Sequence, residues 1–142
     1  MLDLDYSSHY ADLVGTTDWK IELPEDQKDF FLQSGIVSTV NPEHRASQRR
    51  IVRVRGLMIL ETKLPSIPRE RQWLGVYTKD FSKDGCGLIS PMQWFPEEIV
   101  RLILPTFWLL LKVERCRRWN RHCYDVGLAL LQRHDPNPNA FI

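Results

Sequence analysis

From residue 54 onward the chain breaks into short runs of Val, Ile, Leu and aromatic residues, separated by Pro, Gly, Asn and Asp. Such runs predict strands, because branched and aromatic side chains suit a pleated surface and the separating residues suit turns. Strands are predicted near residues 55–62, 73–81, 87–92, 98–104, 108–117 and 123–131. Pro65 with Pro68, Pro96 with Glu97, and Pro105 with Thr106 mark three connections. Trp119-Asn120-Arg121-His122 predicts a hairpin turn with Asn120 as its left-handed residue. Six short strands in this span imply an all-β chain: a six-stranded antiparallel β-barrel, since closure removes exposed sheet edges.

Residues 1–48 show little periodicity. WKIEL at 19–23 alternates like a strand. The stretch PEDQKDFFLQSG, opening at Pro24, predicts one or two helical turns, with Glu25, Asp26 and Asp29 at the positive end and Gly35 as the stop. NPEHRASQ at 41–48 has the composition of a linker. The tail HDPNPNAFI is expected to be loosely structured, with Phe141 as its anchor. The expected organisation is an N-terminal extension (1–44), a barrel domain (45–133) that includes an arginine-bearing segment (45–55), and a C-terminal tail (134–142).

At 142 residues the chain has the size of one domain. A net charge of +1, from 19 basic and 18 acidic residues, gives no global case for duplex nucleic acid. Charge is instead local. Arg45, Arg49, Arg50, Arg53 and Arg55 crowd one segment, while acidic residues are in excess before residue 40. Three irregularly spaced cysteines and an N-terminus without a basic, apolar leader lead to an expected reducing, cytoplasmic setting. The most apolar run, LILPTFWLLLKV at 102–113, is shorter than the ~20 residues of a membrane helix and contains Pro105, so no membrane span is expected.

Two stretches carry candidate chemistry. In QRRIVRVR, Arg49, Arg50 and Arg53 offer planar guanidinium forks that can grip a phosphate or the O6/N7 edge of guanine. On a strand, Arg49, Arg53 and Arg55 share one face and Arg50 takes the other. A solvated basic linker is the plainer alternative. In DFSKDG, Asp80 can accept from guanine N1 and N2, Ser82 can donate or accept, and Gly85 permits a tight turn or a close ligand approach. An ordinary turn with Asp80 and Ser82 bonded to the backbone is the alternative there.

In this order, Arg49-Arg50-Ile51-Val52-Arg53 and Asp80-Phe81-Ser82-Lys83-Asp84-Gly85 match RxxxR followed by [D/N]xSxxG. The pair resembles the signature of the PilZ domain family, bacterial receptors for cyclic di-GMP. The likeness runs from residue 49 to about 131, closing on Tyr124-Asp125-Val126-Gly127-Leu128. It implies a six-stranded PilZ-type barrel whose arginine segment wraps the ligand. Arg49 and Arg53 would contact phosphate and guanine, with Arg50 assisting, while Asp80, Ser82 and Gly85 would hold the other guanine face and its ribose-phosphate. It further implies that ligand binding orders the N-terminal segment toward an unidentified downstream protein partner. The family's penultimate-strand aromatic has no evident match in residues 113–118.

No nucleophile and base pair stands out, so no enzymatic activity and no cofactor are expected. Two rival expectations remain. One is a PilZ-like interaction adaptor that binds no nucleotide. The other is a small single-stranded nucleic-acid-binding barrel that stacks bases on Trp73, Tyr77, Trp94 or Trp119. Cys116, His122, Cys123 and His134 fit no common zinc spacing, and no metal site is expected.

Overall fold

The computed structural model describes residues 2–37, 48–62 and 70–142. The expected linker at 41–47 with Arg45, and the connection at Pro65 and Pro68, lie outside the described residues. The elements are α1 (Leu2–Thr16), β1 (Gly35–Val37), β2 (Arg49–Ile51), β3 (Arg55–Thr62), β4 (Leu74–Ser82), β5 (Gly85–Ser90), β6 (Ile99–Ile103), β7 (Trp108–Asn120) and β8 (Cys123–His134).

Strands β4-β3-β6-β7-β8-β5 are each antiparallel to the next, and β5 returns to β4, closing a six-stranded barrel. Alternation assigns the faces. Met58, Leu60, Val76, Leu88 and Val126 point into the core. Leu57 and Tyr77 point outward, beneath the N-terminal residues. Trp94, delivered by the β5–β6 connection, is buried at one end of the barrel and donates its indole N–H to Ser90 Oγ at 2.9 Å. The opposite end, where β4 meets β5 and β6 meets β7, holds an apolar cavity of about 480 Å³.

Two further strands extend the sheet. β2 pairs with Asp80 and Phe81 of β4, and β1 pairs with β2. β2 and β3 thus run along the same edge of β4 as two halves of an interrupted strand. Between them, Thr78 Oγ1 donates to the Val52 carbonyl at 2.6 Å and accepts from the Val54 N–H at 2.9 Å. The hydroxyl supplies the polar partners that the broken ladder does not.

The N-terminal expectation is corrected in two places. Residues 2–16 form a fifteen-residue α-helix. Tyr6, Tyr10, Leu13 and Val14, spaced at four, seven and eight residues, lay it against Leu57, Ile103 and Trp108 on the barrel's outer face. The Tyr6 hydroxyl, almost fully buried, donates to the carbonyls of Leu104 and Phe107, and burial holds its pKa well above the usual phenol value. Residues 19–23 are not a strand; Trp19, Ile21 and Leu23 pack onto Phe30, Tyr77, Ile89 and Cys123. The turns expected after Pro24 are present as two 3₁₀ turns, Glu25–Gln27 and Phe30–Leu32.

The β7–β8 hairpin and the tail also differ from expectation. Asn120 is the last residue of β7, and the left-handed residue is His122, at φ 54°. The tail is pinned rather than loose. It forms a 3₁₀ turn, Pro138–Phe141, and the Arg101 guanidinium donates to the carbonyls of Asn139, Ala140 and Ile142 at 2.8, 2.8 and 3.1 Å. Phe141 is an anchor as expected, its ring packed on Tyr6, His9 and Trp73. Among the described residues, no helix is long and apolar enough to cross a membrane.

Candidate functional site

The outer face of β4 is rearranged by one irregularity. Along β5, Thr78 pairs with Leu88 and Asp80 with Gly87, so Lys79 is an extra residue in β4. A bulge of this kind reverses the alternation beyond it. Strict alternation would aim Asp80 into the core and Phe81 out. The bulge instead brings Lys79 and Asp80 to the same outer face and sends Phe81 inward, where it packs against the core. The strand avoids burying a carboxylate in an apolar interior.

Arg49 and Asp80, both singled out from sequence, meet on this face: Arg49 Nη1 donates to Asp80 Oδ1 at 3.0 Å, with the carboxylate largely buried. Arg53 is on the same side. Its Nε donates to the Lys79 carbonyl at 2.9 Å, its Nη1 to the Phe30 carbonyl at 3.3 Å, and its guanidinium sits 4.1 Å above the Phe30 ring. Burial there pulls the Arg53 pKa below its ordinary value, while Asp80, Asp29 and Asp125 push it back up. Arg55 follows on that face, over the Trp19 ring.

Arg50 is separated from this group. Its register partner is Phe81, so it shares the cavity side of the sheet, where it is exposed. Ser82 and Gly85 close the β4–β5 hairpin. Ser82 Oγ accepts from the Asp84 N–H at 3.3 Å, and a Cβ added to Gly85 would overlap the carbonyl oxygen of Leu128 on β8. In this structure both residues serve the closure of the barrel.

Lys79, Asp125 and Arg117 were not singled out as site residues from sequence, whereas Trp119 was. Lys79 Nζ donates to Asp125 Oδ1 at 2.8 Å, Arg117 approaches Asp125 Oδ2 at 3.4 Å, and the Trp119 ring lies 5.8 Å from Lys79 Nζ. Gly87 and Gly127 face each other on β5 and β8, and the Lys79, Asp80 and Arg115 side chains lie close over them. A Cβ on Gly87 would come within 3.1 Å of Asp80 Oδ1, and one on Gly127 within 2.8 Å of Arg115 Cζ. The signal for this close approach was the glycine spacing in GCG and DVG, opposite a strand with adjacent charges. Carboxylate acceptors and several guanidinium forks suit an anionic ligand with N–H donors.

The aromatics considered as base platforms are engaged elsewhere. Trp94 and Tyr77 are buried, Trp73 packs under Phe141, and Trp119 is partly buried beside Cys123. Among the described residues no three His, Cys, Asp or Glu side chains form a group able to hold a metal. Burial pushes the Cys86 thiol from 9.0 up to about 12 and the Cys123 thiol up to about 11. Both therefore stay protonated and unreactive near neutral pH. With a thiol-reactive dye at about pH 8, the folded chain should titrate only the half-buried Cys116 quickly, and all three cysteines after denaturation. Rapid labelling of three thiols in the folded state would contradict the burial of Cys86 and Cys123.

Comparison of the chain with protein-family models, with curated proteins and with solved structures finds no match.

Proposed function

We propose that the chain is a cyclic di-GMP receptor of the PilZ type, acting as an adaptor rather than an enzyme. The observation that carries the reading is the convergence of Arg49, Arg53 and Asp80 on one outer face, through contacts a ligand can replace. Cyclic di-GMP presents two phosphodiesters and two guanines. Its phosphates would draw the forks of Arg49 and Arg53 from their present acceptors, which frees Asp80 to accept from guanine N1 and N2. The Arg115 guanidinium, which lies over Gly127, would lift from the backbone to stack on a purine.

The link to signalling runs through Phe30. Its ring and carbonyl hold Arg53, and it packs with Trp19, Ile21 and Leu23. Capture of Arg53 by a ligand would remove that contact and reset how residues 19–37 lie on the barrel, changing the surface shown to a downstream protein partner. A nucleotide-independent adaptor is the second reading, favoured by the mutual satisfaction of Arg49 and Asp80.

Calorimetric titration with cyclic di-GMP separates the two. The expected result is saturable binding by the wild type, weakened by about tenfold or more in Arg53→Ala and in Asp80→Ala, since each loses charge-assisted hydrogen bonds. Amide exchange in residues 19–55 should change on binding. A folded wild type that binds no cyclic di-GMP would leave the adaptor reading in its place, and binding without altered exchange would remove the Phe30 link alone.

A further inference from the structure

The end of the barrel opposite Trp94 is open. Its cavity of about 480 Å³ lies within the range of about 300–1,000 Å³ found for small-molecule sites. Val54, Phe81, Phe107, Leu109 and Leu130 are among its apolar walls. The lip is the β6–β7 turn, and the buried Tyr6 hydroxyl holds that turn through the Leu104 and Phe107 carbonyls. Helix α1 therefore sets the shape of the mouth from outside the barrel.

The polar groups at the mouth have one sign. Among the described residues, Arg133 is the one charged residue of the lining. Its exposed guanidinium rests 4.2 Å over the Phe107 ring. Arg50, opposite Phe81 in register, adds a second cation on this side of the sheet. An apolar cavity with a cation at its rim matches an apolar tail that ends in an anion.

We propose that this open end binds an amphiphile with a single anionic head, of the medium-chain fatty-acid class. The tail enters among Phe81, Leu109 and Leu130, and the carboxylate meets Arg133 at the rim. The inference is distinct from the Arg49, Arg53 and Asp80 contacts of the cyclic di-GMP reading, which lie on the outer face of β4, while Ser82 and Gly85 of the same motif line this cavity.

The test titrates the full chain with decanoate and, separately, with decyltrimethylammonium, followed by calorimetry and amide NMR. Saturable decanoate binding is expected, with shifts centred on Val52, Val54, Phe81 and Leu130. Arg133→Gln, an exposed change that leaves the fold intact, should weaken decanoate by about fivefold, the scale of a solvent-accessible ion pair. Val54→Trp, at a position 39% exposed on the rim, should block the mouth and abolish binding. Equal binding of the cationic amphiphile, shifts centred on α1, or no saturable binding by the folded chain would each overturn the proposal. Cyclic di-GMP affinity should be unchanged in Arg133→Gln, so the two readings fail separately.

Discussion

Replacing Gly85 by alanine is expected to destabilise the chain by about 3 kcal/mol or more, because the added methyl meets backbone rather than a side chain that can swing away. Gly85 opens β5 and pairs with Ala129, and the next ladder bond runs from the Leu130 N–H to the Asp84 carbonyl at 2.8 Å. The new Cβ would fall on the Leu128 carbonyl oxygen, so β5 and β8 must separate at the seam that closes the ring. A fall in Tm of about 10 °C should follow for a chain of this size. Gly15→Ala is the control. Nothing lies within 4 Å of its added Cβ, and alanine favours the helix by up to about 1 kcal/mol, so Tm should hold or rise. An unchanged Tm in Gly85→Ala would mean that β5 and β8 are not so close. A large fall would assign the motif glycine to barrel closure, with loss of ligand binding a secondary effect.

Arg101→Met should cost about 3 kcal/mol and release the C-terminal residues. Arg101 is buried on β6, and its fork meets both Glu61 oxygens, at 2.9 and 2.8 Å, in addition to three tail carbonyls. Removing the cation leaves Glu61 and those carbonyls without their donor, and an unpaired group costs more than the pair contributed. Lysine should not rescue, because a point charge cannot serve a carboxylate and several carbonyls in one plane. Limited carboxypeptidase digestion gives the local readout: residues 138–142 should be trimmed faster in the variant. Equal protection of the tail in both proteins would show that Phe141 and its aromatic neighbours suffice.

The strands were legible because their apolar runs and turn residues repeat at strand length, and the closed six-stranded ring followed from the edges it removes. Helix α1 was not. Among its described side chains, Tyr6, Tyr10, Leu13 and Val14 mark its buried stripe, and what stabilises it is the outer face of β3, β6 and β7, brought together by folding. The pinned tail was hidden for a similar reason, since its partner Arg101 lies about forty residues earlier in the chain. Arg49, Arg53 and Asp80 were found through motif spacing. Their shared face depends on the extra residue at Lys79, and a local pattern does not register a bulge that only the partner strand defines.

The interruption at Val52–Val54 separates two roles that one continuous strand would fuse. Every pairing that closes the ring lies in β3–β8, while the arginines at 49 and 50 ride on β2, which meets β4 at only two register positions. β2 and β1 can peel away as a detachable flap with all six ring strands still joined. The hydroxyl of Thr78 spans the break, gripping Val52 on the flap side and Val54 on the ring side. If the proposed ligand draws these arginines away, rearrangement at the edge need not be transmitted as unfolding at the centre.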